Sequence, residues 1–86
     1  MTAPFAPSNR FDILVPHEPN AVDGVLAHFS SLAAKPSSVN TRSHRDGTLS
    51  VVIIVEKLAE TRARAIQTDL KKDARVIGAM LEHYVG

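Results

Sequence analysis

The 86-residue chain contains no cysteine and no tryptophan, and it has only three phenylalanines and one tyrosine. Without cysteine, it can form neither disulfide bonds nor a reactive thiolate. Its formal net charge of +1 is too small to attract nucleic acid or a membrane surface. The segment 48–56, which is the most strand-like in the chain, lacks the aromatic residues on which RNA-recognition sheets stack bases. We therefore expect no nucleic-acid partner.

Long apolar runs are also missing. No segment approaches the roughly 20 apolar residues that a membrane-spanning helix needs. The first residues are not a basic stretch followed by an apolar one, so they do not resemble a secretory signal. We expect one cytoplasmic domain with no membrane partner. A chain of this size buries only about 60–65% of its unfolded surface, so association would add useful stability.

The clearest structural signal is the segment TLSVVIIVE at 48–56. Six of its nine residues are apolar, most of them are β-branched, and it contains neither proline nor glycine. This composition favours a strand over a helix. Because the apolar run is continuous, both faces of this strand are expected to be covered, which already suggests a protein partner.

Periodicity predicts five further elements. Alternation predicts strands at 10–15, 37–44 and 75–83, and apolar residues at three- and four-residue spacing predict helices at 21–34 and 59–72. Asp46-Gly47 between two extended runs is typical of a type I′ hairpin turn, in which both central residues have positive φ. Residues 1–9, which contain prolines among small residues, are interpreted as a disordered arm.

The order β-α-β-β-α-β predicts a ferredoxin-like α+β sandwich spanning 10–86, with a four-stranded antiparallel sheet and two helices on one face. Within that sheet we place the first and third strands side by side and parallel, with the second strand outside the third and the fourth beside the first. The predicted core combines one sheet face with the two helix stripes. It consists of Phe11, Ile13, Val15, Leu49, Val51, Ile53, Val55, Val22, Leu26, Phe29, Ile66 and Leu70.

The opposite sheet face would then be an exposed apolar patch, which usually marks an interface. The candidate interface residues are Leu14, Val52, Ile54, Ile77 and Leu81. In the other register of the last strand, Val76 and Met80 would lie on this face instead. Scattered surface hydrophobics are the alternative interpretation.

The sequence predicts no catalytic residues, no metal site and no cofactor. His17, His28, His44 and His83 have no metal-ligand spacing, and we interpret them as solvated or loop residues, His17 and His83 lying at opposite ends of the sheet. The serine pairs lack a base, the carboxylates lack a partner for acid–base work, and the glycines form no phosphate loop.

Several segments resemble an ACT domain, the small ligand-sensing module of amino-acid metabolism. FDILV followed by HEPNAVDGVLAHF resembles the family's first strand, loop and helix. SSVNTRS resembles its second strand, and VVIIVEK with the later ARVIGAML resembles the rest. Over 10–85 the chain is most similar to the small regulatory subunits of acetolactate synthase.

This resemblance implies a non-catalytic regulatory subunit that forms a homodimer or binds a larger catalytic subunit. It also implies an amino-acid effector site at the first loop and the start of the second strand. The positions that match are His17, Glu18, Asn20, Ala21, Val22 and Lys35. Asn20 stands where the family usually has glycine, and His17 and Lys35 replace polar amides of sensing subunits, so a subunit that stabilises its enzyme without sensing is an equal alternative.

Two other functions fit the same fold prediction. One is a small dimeric enzyme with a pocket between sheet and helices, which would need a buried polar group such as His17 or Asp12. The other is a pure protein-interaction module without a ligand.

Overall fold

The structure, a computed structural model, describes residues 7–85. Its elements are β1 (Pro7–Pro16), α1 (Ala21–Ser31), β2 (Ser38–Ser43), β3 (Thr48–Glu56), α2 (Glu60–Lys72) and β4 (Gly78–Val85). The first six residues of the predicted arm lie outside the described residues, and 7–9 belong to β1. The bounds of β3 agree with the prediction from its composition.

The fold is the predicted ferredoxin-like α+β sandwich. The sheet has the order β2-β3-β1-β4, and all three neighbouring pairs are antiparallel. The prediction that the first and third strands are parallel was therefore wrong. Each helix returns the chain to its starting end, so β1 and β2 run in the same direction, and the β2–β3 hairpin reverses β3 between them.

The core lies between one face of the sheet and the two helices. Alternate residues of β1 and β3 are buried there, among them Phe11, Ile13, Val51 and Ile53. Phe29 of α1 meets Phe11 edge to face, with ring centroids 4.9 Å apart. Such a pair adds about 1 kcal/mol beyond the burial of its area.

Helix α1 ends three residues earlier than predicted. Ala33 adopts a left-handed conformation with φ of 55°, the N–H of Ala34 donates to the carbonyl of Phe29, and that of Ala33 donates to the carbonyl of Ser30. These two bonds are a Schellman motif, which satisfies the carbonyls at the helix end. Glycine is the usual residue at the left-handed position, and its absence here concealed the helix end in the sequence.

The hairpin turn also differs from the prediction. Gly47 has φ of 85°, whereas Asp46 is not among the described residues with positive φ, so the turn is not type I′. Gly47 N–H donates to the carbonyl of His44, so 44–47 is a four-residue turn whose last residue is the left-handed Gly47. Asp46 accepts hydrogen bonds from both the N–H and the hydroxyl of Thr48, and these bonds fix the entry into β3.

Strand β4 begins at Gly78 instead of Arg75. After α2 the carboxylate of Asp73 accepts a hydrogen bond from the N–H of Arg75, and Val76 N–H donates to the carbonyl of Asp73. This local turn keeps 73–76 out of the sheet. It also places Asp73 beside His28 and Arg75 beside Gly24, both in α1.

Candidate functional site

The loop between β1 and α1 is held at both ends. His17 N–H donates to the carbonyl of Gly47 in the hairpin, and Ala21 N–H donates to the carbonyl of Glu18. Two prolines, at 16 and 19, further restrict its backbone. The result is a rigid loop that fixes where α1 begins relative to the sheet.

Asn20 caps α1 with its backbone. It has φ of 65°, and its carbonyl accepts the N–H of Gly24, while its side chain makes no capping hydrogen bond. Asparagine tolerates this left-handed conformation better than most residues. The N–H groups of Val22 and Asp23 have no partner within the helix, as at every helix start. They give this end of α1 a partial positive charge.

A cavity of about 220 Å³ lies on each side of this loop. We call the first the Leu49 cavity. It is lined by His17, Glu18, Asn20, Ala21, Val22, Asp23 and Leu49. We call the second the Arg75 cavity. It is lined by Val15, Pro16, Glu18, Pro19, Asn20, Ala21, Gly24, Val25, Asp73, Arg75 and Val76.

Five of the six predicted ligand residues therefore border one cavity. His17, Glu18, Asn20, Ala21 and Val22 all line the Leu49 cavity. Lys35 does not: it is exposed and lies beyond the last turn of α1, at the other end of that helix. Within one copy of the chain Lys35 is thus separated from the loop by the length of α1.

Sequence reasoning missed the polar wall of the Arg75 cavity. Arg75 donates from Nε and Nη2 to the carboxylate of Asp73, at 3.2 and 3.1 Å. Its guanidinium lies against α1: Nη1, Nη2 and Cζ would lie 3.5, 3.7 and 3.8 Å from a Cβ placed on Gly24. Asp73 and Arg75 are more than 50 residues from the loop they face. No local pattern in the sequence connects them to it.

His28 is not a solvated histidine, in contrast to the prediction. Its side chain is only 18% exposed, with Nδ1 at 2.6 Å from Asp69 and Nε2 at 2.9 Å from Asp73. A carboxylate only accepts hydrogen bonds, so both ring nitrogens donate, which requires the imidazolium form. His28 thus joins α1 to α2 and to the turn after α2.

This arrangement shifts the pKa values of His28 and Asp73 in opposite directions. Burial by itself lowers the pKa of His28, but the hydrogen bonds and charges of Asp69 and Asp73 outweigh it and raise the pKa above 6.5. Hydrogen bonds from Arg75, and then from His28, hold the pKa of the Asp73 carboxyl well below its usual range. Both shifts favour the charged forms, the imidazolium of His28 and the carboxylate of Asp73.

Of the other three histidines, two are exposed and one is half-buried. His17 and His44 are exposed, as predicted. His83 is half-buried in β4, and its Nδ1 is hydrogen-bonded to Oδ1 of the buried Asn9, so its interpretation as a solvated residue was wrong. The register pairs His83 with Asn9, while His17 follows the far end of β1, and this confirms that the two histidines lie at opposite ends of the sheet.

The sheet face away from the helices is mixed in character. Leu14, Val52 and Ile54 lie on it half-buried, next to the charged pair Arg10 and Asp12. The register of β4 adds Met80, which is 70% exposed and pairs with Asp12.

The other two predicted interface residues lie elsewhere. Leu81 pairs with Phe11 and packs against the core on the helix side. Ile77 precedes β4 and is 58% exposed. The alternative register placed Val76 and Met80 on the open face. It is right for Met80, whereas Val76 precedes β4 and packs against the core.

Neither polar residue needed for an enzyme pocket is buried. His17 is exposed, and the side chain of Asp12 is 36% exposed and paired with Arg10. Across residues 7–85, no three histidine, aspartate or glutamate side chains are grouped so that they could hold a metal ion. Within the same range, neither helix is long and apolar enough to cross a membrane.

Solved structures share this fold. The ACT domain of GTP pyrophosphokinase from Chlorobium tepidum superposes with a TM-score of 0.74 at 9% identity, covering 90% of this chain and 99% of that domain. The C-terminal domain of the MgtC protein from Mycobacterium tuberculosis gives a TM-score of 0.69 at 14% identity, covering 100% and 94%. Formyltetrahydrofolate deformylase from Burkholderia mallei gives 0.66 at 11% identity, covering 90% of this chain but 27% of that protein.

No protein-family model matches the sequence, and no curated protein is similar to it in sequence. The structural likeness, at such low identity, shows the fold alone. The chain therefore has the fold seen in the ACT domain of that GTP pyrophosphokinase. None of the three structures is an acetolactate synthase subunit, so that part of the resemblance stays a prediction.

Proposed function

We propose that this chain is a regulatory module of the ACT type, which binds a small amino-acid effector at the loop between β1 and α1. The observation that best supports this proposal is that five of the six predicted ligand residues line the Leu49 cavity. The helix start would receive the effector's carboxylate, because its N–H groups lack partners within the helix. The carboxylate of Glu18, which borders both cavities, would receive the amine.

A thermal-shift screen with the twenty standard amino acids tests effector binding. A ligand that binds only the folded state at 100 times its dissociation constant stabilises that state by about 2.7 kcal/mol. We expect one or a few amino acids to raise the melting temperature. Glu18→Gln should abolish the shift, whereas Glu56→Gln, at an exposed position at the end of β3, should leave it unchanged. If none of the twenty amino acids changes the melting temperature, the proposed sensing function is wrong.

We also propose that the module acts by association, as a homodimer or as the small subunit of an amino-acid biosynthetic enzyme. The half-buried Val52 and Ile54 and the exposed Met80 on the open sheet face support this. On the resemblance of its segments, we propose acetolactate synthase as that enzyme.

Co-expression with the large thiamine-diphosphate-dependent subunit of acetolactate synthase from the same organism tests the partner. We expect the two chains to copurify and the activity of the large subunit to rise. A module that copurifies with another protein and responds to no amino acid would instead support the interaction module without a ligand.

A further inference from the structure

The Arg75 cavity has apolar walls, one cationic group and two carboxylates, those of Glu18 and Asp73. Val15, Pro19, Val25 and Val76 contribute the walls, and the guanidinium of Arg75 lies at the side of α1. The side chain of Arg75 is 72% exposed, so a ligand could reach it from solvent. Asp73 accepts hydrogen bonds from Nε and Nη2 of Arg75 and not from Nη1, and the guanidinium as a whole lies against Gly24. Asp73 neutralises one side of the guanidinium, and a small apolar molecule with a carboxylate would use the N–H groups of Nη1 on the other side.

The position of Arg75 depends on Asp73, and the position of Asp73 depends on His28. Oδ2 of Asp73 accepts from Nη2 of Arg75 and from Nε2 of His28, while Oδ1 accepts from Nε and the backbone N–H of Arg75. Asp73 is thus held between two cations. Its side chain is only 13% exposed, so water has little access to replace either of them.

Few charged groups face His28. Asp69 approaches it from α2 and Asp73 from the turn after α2, with Arg75 behind Asp73. Glu18, from the loop on the other side of the cavity, acts on Arg75 and raises its pKa together with Asp73. His28 is therefore the one group of this cluster whose charge changes near neutral pH.

Loss of the His28 proton would break this arrangement. A neutral imidazole has one N–H, so it can donate to Asp69 or to Asp73 but not to both. The other carboxylate would then face a nitrogen lone pair at less than 3 Å. Either α2 or the 73–76 turn must then move away, and the guanidinium of Arg75, which is paired with Asp73, would move with that turn.

We propose that the Arg75 cavity binds a small carboxylate-bearing molecule through Nη1 of Arg75, and that the protonated His28 maintains this site by holding Asp73 in place. The identification of the natural ligand as an amino acid rests on the proposed function, but the coupling of His28 to the cavity does not. The site binds its anion best when His28 is protonated, and it releases the anion as the pH rises.

The experiment is an NMR titration of the full chain between pH 5 and 9, with isobutyrate as a carboxylate probe and L-valine as an amino acid. The imidazole signals of His28 should titrate above 6.5, and the amide signals of Gly24, Arg75 and Val76 should shift with the same midpoint. The affinity for isobutyrate should fall by up to about tenfold per pH unit above that midpoint, the limit for one linked proton.

Two pairs of variants separate the contribution of Arg75 to binding from that of His28 to the pH dependence. Arg75→Gln should abolish isobutyrate binding, whereas Arg45→Gln, in the distant hairpin, should not. His28→Gln should make the affinity independent of pH, whereas His44→Gln should leave the pH dependence intact. If His28→Gln does not fold, Asp73→Asn provides a second test: it removes the carboxylate that His28 and Arg75 share, so the affinity for isobutyrate should no longer follow the titration of His28.

The outcomes distinguish this inference from the proposed function. If isobutyrate binds with the expected pH dependence but no amino acid does, the inference stands and amino-acid sensing fails. If L-valine binds regardless of pH and of Arg75→Gln, the sensing function stands and the inference is overturned. Cavity amides that do not follow the titration of His28, or a failure of isobutyrate to bind at any pH, would also overturn it.

Discussion

Asn9 is the polar residue on which the start of α2 depends. Its side chain is fully buried, and Nδ2 donates to the carbonyls of Val55 and Leu58, at 3.2 and 3.0 Å. These carbonyls belong to the end of β3 and the segment before α2. A buried carbonyl without a donor costs free energy. By donating to both carbonyls, Asn9 stabilises the connection between β3 and α2 in its apolar surroundings.

Replacing Asn9 by alanine should lower the free energy of unfolding by about 2 kcal/mol, because two buried carbonyls lose their donor. Chemical denaturation measures this change. Asn40→Ala is the matched control, since Asn40 lies on the exposed edge strand β2 and should change the stability by less than about 0.5 kcal/mol. Equal losses for the two variants would show that the buried hydrogen bonds of Asn9 do not contribute.

Stability should also depend on pH through His28 and Asp73. The folded-state pKa of His28 is raised above 6.5, so its contribution is complete below that pH and is lost as the pH rises through the folded value. The folded-state pKa of Asp73 is depressed, so its contribution is complete above 3.8 and is lost as the pH falls through the folded value. We expect maximal stability between these limits.

Urea denaturation at a series of pH values checks this dependence. His28→Gln should remove the decline on the alkaline side and keep the one on the acid side, whereas Asp73→Asn should reduce both. A wild-type stability that does not fall between pH 6.5 and 9 would contradict the assignment of His28 as a bridged imidazolium.

Among the elements, α1 carries a conformational cost at each end. Asn20 and Ala33 both have positive φ, at residues where an L side chain is less favourable than glycine. At Asn20 the left-handed turn positions the rigid loop that borders both cavities. At Ala33 it forms the Schellman motif, which turns the chain from the helix toward β2.

Ala33→Gly should therefore stabilise the protein, by about 1 kcal/mol, because glycine adopts the left-handed conformation without the Cβ clash. Thermal or urea denaturation shows whether the variant is more or less stable than the wild-type protein. Ala65→Gly, at an exposed position inside α2, is the control, and it should destabilise by about 1 kcal/mol. If both variants destabilise, Ala33 does not carry the strain that its φ indicates.

Taken as a whole, the molecule covers one sheet face with two helices and leaves the other uncovered by its described residues. That open face combines aliphatic side chains with the ion pair of Arg10 and Asp12. A chain of this length has little apolar surface to bury alone, so covering part of this face by association would add stability.

If copies of this chain associate through the open face, the melting temperature should rise with protein concentration. Met80→Lys should remove that dependence, since it places a charge on the most exposed apolar residue of the face while offering Asp12 a partner. Thr68→Lys, which adds the same charge on the outside of α2, should not. If sedimentation gives a monomer at all concentrations, copies of this chain do not associate, and the partner of the open face is a different protein.

The sequence predicted features that depend on neighbouring residues. The strand at 48–56 was assigned correctly because its β-branched apolar run ends at turn residues on one side and a charged residue on the other. The core faces of β1 and β3 followed from alternation, since successive side chains of a strand point to opposite sides. The left-handed Ala33 was not foreseen, because alanine does not usually occupy such a position.

The candidate site likewise has one part that the sequence predicted and one part that it did not. The β1–α1 loop could be identified from one continuous segment with two prolines and a helix start. The partners that complete the Arg75 cavity could not, because Asp73 and Arg75 reach it only through the packing of α2 against α1 and through the turn that follows α2.

The amino-acid order by itself determined the type and sequence of the elements, and with them the α+β class, since backbone geometry fixes the periods that apolar residues must follow. Only the tertiary structure decided the register of β4 and the joining of His28 to Asp69 and Asp73, which are 41 and 45 residues away. Such contacts depend on how whole helices pack, and no short-range pattern encodes that packing.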